Sequence, residues 1–137
     1  MSVLIAPPAA VVRRFLAERG VHVGGQIERT WAALDGTTCL AMACLSGRDG
    51  EAVELSLAGD GKAPLTRAQW RHIVDEALTG ATALVVRTRV ENGRIRQAAH
   101  LMGGAEVIIP DRRGEGRDEA LSVITRRAWR HSRLGRR

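Results

Sequence analysis

Between Glu28 and Val90 the apolar residues follow one period, switch to another and switch back, and this change limits what the chain can fold into. Three strand-like segments, about Glu28–Leu34, Thr38–Leu45 and Ala52–Ala58, are separated by Asp35-Gly36 and by Gly47-Arg48-Asp49-Gly50. Both separators carry tight-turn chemistry, so the three segments predict an antiparallel meander. Thr66 then supplies an N-cap, and Trp70, Ile73, Val74, Ala77 and Leu78 recur on one helical face until Gly80. Ala83–Val90 returns to strand, with a buried run Leu84-Val85-Val86 ahead of alternating Arg87, Thr88, Arg89 and Val90. A meander running into strand–helix–strand predicts an α/β fold, a mixed sheet with helices on both faces.

The flanks extend this pattern. Val3–Ile5 reads as a short strand ended by Pro7-Pro8, and Ala9–Gly20 as a helix with Val11, Val12, Phe15 and Leu16 on one side. After Val90 a second helix carries Ile95, Ala98, Ala99 and Met102 and stops at Gly103-Gly104. Strands at Glu106–Ile109 and Ala120–Thr125 flank the polar linker Asp111–Arg117. The order is β-α-β-β-β-α-β-α-β-β, a mixed central sheet of six to seven strands. At 137 residues the chain suits one domain, over residues 1–125, followed by an Arg-rich C-terminal tail at 126–137. With three Trp, one Phe and no Tyr, the core must be aliphatic.

Charge is unevenly spread. Residues 111–137 hold nine Arg against four acids, and from Arg126 onward there are six Arg and no acid. Such a terminus suits a polyanion, an acidic protein surface or a larger assembly. The chain has 20 Arg and one Lys, a bias a GC-rich genome would also produce. No apolar run reaches the roughly 20 residues that span a bilayer, and the N-terminus lacks a basic region ahead of its apolar stretch. No membrane association is expected, and the expectation is a cytoplasmic protein. Homo-oligomerisation is left open.

Several chemistries are excluded. Cys39 and Cys44 lie five apart in one strand-like segment, so alternation sends them to opposite faces and they read as two unpaired core thiols. His22, His72, His100 and His131 share no metal-ligand spacing, and no metal site is expected. There is no dinucleotide loop, Walker loop or nucleophile elbow. So few aromatics leave no stacking platform for single-stranded nucleic acid.

One segment resembles a known family. In LVVRTRVENGRIRQAAHLMGGAEV a strand is followed by Asn92, a short helix, and Met102-Gly103-Gly104 where Leu-Gly-Phe is expected before the next strand. The eleven residues from Asn92 to Gly103 and the closing segment GRDEALSVITRRAW fit the same pattern. The chain resembles the GNAT superfamily of N-acetyltransferases, in its ribosomal-protein and phage-encoded branches, over roughly residues 52–129. The resemblance implies acetyl-CoA wedged between two splayed parallel strands, its pyrophosphate held by N–H groups at the start of the central helix. The family loop, Gln/Arg-x-x-Gly-x-Gly/Ala, aligns with Lys62-Ala63-Pro64-Leu65-Thr66-Arg67, so Leu65 and Arg67 replace both small positions. Lys62 keeps a positive charge there, and Thr66, Arg67 and Ala68 could still present N–H groups. The same Pro64-Leu65-Thr66 also suits a plain helix cap.

The chemistry the resemblance implies is direct attack of an amine on a thioester, which needs a base, an oxyanion donor and an acid. Glu54, which alternates with Val53 and Leu55, is the base candidate; a solvent-facing strand Glu is the bland reading. The family's Tyr acid falls on Ala99, with His100 beside it. Asn92 is either a cofactor contact or a turn and capping residue. The leading expectation is an acetyl-CoA-dependent N-acetyltransferase of a primary amine on a protein or small molecule. The alternatives are a catalytically inactive relative with a structural role, such as a phage virion component, and a nucleic-acid binder acting through its basic tail.

Overall fold

The computed structural model describes residues 2–61 and 64–136. Its elements are β1 (Val3–Ile5), α1 (Ala9–Glu18), β2 (Ile27–Asp35), β3 (Thr38–Asp49), β4 (Ala52–Gly59), α2 (Arg67–Gly80), β5 (Ala83–Arg89), α3 (Gly93–Leu101), β6 (Ala105–Ile109), β7 (Glu119–Thr125) and α4 (Arg126–His131). The strands form one seven-stranded sheet in the order β1-β2-β3-β4-β5-β7-β6. The α/β mixed sheet expected from the periodicity is therefore present, with β4–β5 parallel and the other neighbours antiparallel.

Alternation sorts the apolar residues into two layers. On one face Ala33, Ala43, Val53, Leu55, Leu84, Val86 and Ile124 form a buried cluster with Ile73, Val74, Ala77 and Leu78 of α2 and Ala99 of α3. On the other, Ala32, Met42 and Cys44 are covered by Val12 and Leu16 of α1. Among the described residues no helix is long and apolar enough to cross a membrane.

Two expectations are corrected by backbone irregularities. A register shift in the β2–β3 pairing, from Ala33↔Ala41 to Leu34↔Cys39, breaks the alternation around Leu40. Cys39 thereby packs against the same α1-side cluster as Cys44 instead of facing away. Both are free thiols, and burial pushes that of Cys44 up to about 11. The second irregularity lies between Ser46 and Asp49, where β3 continues through a bulge and resumes pairing at Asp49↔Ala52. The turn between β3 and β4 is thus Gly50-Glu51 rather than the whole of Gly47–Gly50.

The Arg-rich segment also differs from the expected tail. Residues 126–131 form α4, and the chain beyond it runs back along α2. Trp129 is buried in the main cluster, and its Nε1 donates to Asp75 Oδ1 at 2.7 Å. Arg126 donates to the carbonyls of Leu78 and Ala81 at the C-terminal end of α2. Arg67 and Arg71, farther up the same helix, donate to the carbonyls of Arg133, Leu134 and Arg136. One indole and three guanidiniums thus fix a segment whose composition alone suggests disorder.

Candidate functional site

The sheet is joined across its middle by few pairings. β4 and β5 register only at Ala52↔Ala83, Val53↔Leu84 and Glu54↔Val85. Beyond that point β4 stays with β3 as far as Ala41↔Gly59, while β5 stays with β7 as far as Arg89↔Glu119. Two parallel strands that separate in this way open a crevice at their C-terminal ends. The first turns of α2 and α3 follow those two strands. Arg94, in the first turn of α3, spans the opening by donating to the carbonyl of Gly61 at 3.1 Å. Sequence reading did not single out Arg94, because only the fold brings it to the loop after β4.

Glu54 sits at the last paired position before the strands part. Its neighbours Val53 and Leu55 face the α2 layer, so its carboxylate lies on the α1 side. It is half-buried, and burial raises its pKa above the ordinary carboxylate value despite the nearby Arg87 guanidinium. Arg87 Nε stands 3.5 Å from Glu54 Oε1, and Arg87 Nη1 donates to Glu119 Oε2 at 3.2 Å. Arg113, from the β6–β7 connection, stands 3.5 Å from the other Glu119 oxygen. Opposite Glu54 on β3 is Ser46, whose Oγ is buried without a hydrogen-bond partner among the described residues. Alternation along β5 was enough to put Arg87 on the face of Val85, and hence of Glu54. Glu119 and Arg113 join only through the antiparallel return of β7.

The loop aligned with the family's phosphate grip is built differently. Lys62 lies outside the described residues. Leu65 is 7% exposed and belongs to the main apolar cluster, so it fills the core rather than the crevice mouth. Pro64 packs directly on Gly59, where an added Cβ would come within 2.7 Å of the proline ring. The N–H of Thr66, expected to be available, donates to Gln69 Oε1 at 2.9 Å, and Thr66 Oγ1 accepts from Gln69 N at 3.1 Å. This reciprocal cap was readable in Thr66-Arg67-Ala68-Gln69 as a capping box. The N–H groups of Arg67 and Ala68 have no acceptor among the described residues. The Arg67 guanidinium is turned to the Arg133 carbonyl. Leu65→Gly, which restores the family's small residue, is therefore expected to cost about 2–5 kcal/mol of stability as a core deletion. A urea denaturation series checks this.

The remaining candidates are not brought together. Asn92 caps α3, accepting from Ile95 N at 3.3 Å while its own N–H donates to Arg89 O. His100 is exposed near the end of α3, beside a cavity of about 330 Å³ that it shares with Arg96, Gln97, Glu106 and Ser122. Because α3 packs on the face away from Glu54, the sheet separates His100 from that carboxylate. A second cavity, about 660 Å³, lies between α2 and α4, and neither cavity is in the crevice. Among the described residues no cluster of His, Cys, Asp or Glu could hold a metal ion.

No family model and no curated protein matches the sequence. Solved structures do match over nearly the full chain. The ribosomal-protein-S18-alanine N-acetyltransferase of Escherichia coli is 15% identical with a TM-score of 0.67, covering 91% of this chain and 94% of its own. The spermidine/spermine N-acetyltransferase of Vibrio cholerae is 14% identical with a TM-score of 0.71, over 96% and 98%. A Salmonella typhimurium protein assigned as an acetyltransferase and solved with acetyl-CoA is 13% identical with a TM-score of 0.70, over 90% and 93%. At such identities the likeness is one of architecture, and by architecture the chain is a GNAT-fold protein.

Proposed function

We propose that the chain binds acetyl-CoA in the crevice between β4 and β5 and transfers its acetyl group to an amine, the new carbon–nitrogen bond replacing the carbon–sulfur bond and coenzyme A leaving as the thiol with the proton that the amine gives up. The observation that carries this reading is the parting of the two parallel strands immediately beyond Glu54. The groups suited to the cofactor's phosphates are the N–H groups of Arg67 and Ala68 at the start of α2 and the guanidinium of Arg94. Bound there, acetyl-CoA supplies an acetyl group activated as a thioester. Glu54 accepts the proton of the incoming amine, a task that its raised pKa suits. Arg87 holds the Glu54 carboxylate in place and is itself anchored by Glu119. His100 has no part in this reading, since it faces the other side of the sheet.

Acetyl-CoA at millimolar concentration is expected to raise the melting temperature by several degrees, because a ligand that binds only the native state stabilises it by about 2.7 kcal/mol at 100 times its Kd. Arg94→Ala should shrink that shift without lowering the melting temperature of the free protein. An unchanged melting curve for the wild type removes the reading. It would favour instead a relative without catalysis that serves an assembly, which the core-filling Leu65 and the occupied Thr66 N–H support.

A further inference from the structure

We propose that α4 and the C-terminal strip docked on α2 form a surface that binds the phosphate backbone of duplex DNA without regard to sequence. The strip begins at the C-terminal end of α2, where Arg126 grips Leu78 and Ala81, and ends where Arg67 holds the carbonyl of Arg133. It therefore runs along a 14-residue helix, roughly 21 Å at 1.5 Å per residue. Arg127, Arg130, Arg133 and Arg136 are all exposed on it. Among the described residues none of the four has a carboxylate within ion-pair distance. Asp75, the one acid bordering the strip's cavity, accepts from the Trp129 indole. That cavity, about 660 Å³, is lined by Arg126, Arg130 and Arg136 together with the Asp75 carboxylate, so its lining carries a net positive charge.

Two features select the partner. Trp129 is 3% exposed and Leu134 is packed against the core, so the strip presents charge but no apolar or aromatic anchor. A protein interface draws most of its energy from such anchors, whereas backbone phosphates are recognised by charge alone. Without an exposed aromatic the strip cannot stack unpaired bases, which favours a duplex over a single strand. The main chain that carries these arginines is held in place by the carbonyl contacts of Arg67, Arg71 and Arg126, so binding orders their side chains but not the backbone. The strip lies on the α2 side of the sheet, away from Glu54, and none of its four exposed arginines belongs to the proposed cofactor site.

The test is fluorescence anisotropy of the full chain with a labelled 20-base-pair DNA of mixed sequence across a series of salt concentrations. For wild type, log affinity should fall linearly with log salt. In R127A/R130A/R133A/R136A the slope should be shallower by about 3.6, at roughly 0.9 for each phosphate no longer neutralised, with an unchanged melting temperature. In R127A/R130A, the milder variant, the slope should be shallower by about 1.8 on the same basis. The proposal is overturned if either folded variant keeps the wild-type slope or if the single strand binds more tightly than the duplex. Displacement of the duplex by polyglutamate at equal charge also overturns it and identifies an acidic protein as the partner.

Discussion

Trp129→Ala is expected to lower the unfolding free energy by about 3–5 kcal/mol, the cost of deleting a large buried aromatic side chain. Against a typical total of about 5–15 kcal/mol this is a large fraction. The indole is 3% exposed within the main cluster, and its N–H satisfies Asp75. The loss also undoes the docking of α4 on Gly103, where an added Cβ would fall within 2.7 Å of the Ala128 carbonyl. Trp129→Phe keeps one ring in the cluster while losing the donor and part of the indole volume, so its fall in urea midpoint should be smaller than that of the alanine variant. An unfolding free energy for Trp129→Ala within about 1 kcal/mol of wild type would show that the C-terminal segment does not belong to the core.

Glu54→Gln should reduce kcat/KM for acetyl transfer by about 100-fold or more, the usual contribution of a positioned base. The variant should also lose the acidic limb of the wild-type pH profile, and that limb should lie above the ordinary carboxylate range, because burial raises the Glu54 pKa. Stability should move the other way. A carboxyl whose folded pKa is raised contributes stability below its unfolded pKa and loses it as pH rises through the folded value. At neutral pH the ionised Glu54 therefore weakens the native state, and Glu54→Gln should melt higher than wild type, with the difference vanishing in acid. A pH-independent melting difference, or a transfer profile unchanged by the substitution, would remove Glu54 from the proposed chemistry.

Element order was legible because it depends on short-range periodicity. Val53 and Leu55 against Glu54, and Trp70 through Leu78 at helical spacing, gave both the strand–helix–strand unit and the face on which Glu54 sits. What escaped the sequence depends on distant partners. Cys39 changed face because one irregularity in β3 resets the alternation, and no local residue announces it. Leu65 aligned with a small position of the family's phosphate loop; the fold turns it inward, beside Pro64 packed on Gly59. The Arg-rich terminus read as a tail because its composition is polar, yet the acceptors of Arg67 and Arg71 are main-chain carbonyls, which composition cannot reveal. The candidate site was half visible. Glu54 and the α2 start were picked out and alternation gave the face of Arg87, whereas Glu119, Arg94 and Ser46 emerged only from the assembled fold.

The short seam between β4 and β5 has a mechanical consequence. Three registered pairs are too few to rivet two halves of a sheet, so the load passes to α2, whose Ile73, Val74, Ala77 and Leu78 share one cluster with Val53 and Leu55 on one side and Leu84 and Val86 on the other. The helix works as a splint glued to both boards. Loosening it lets the boards swing apart long before either one splinters.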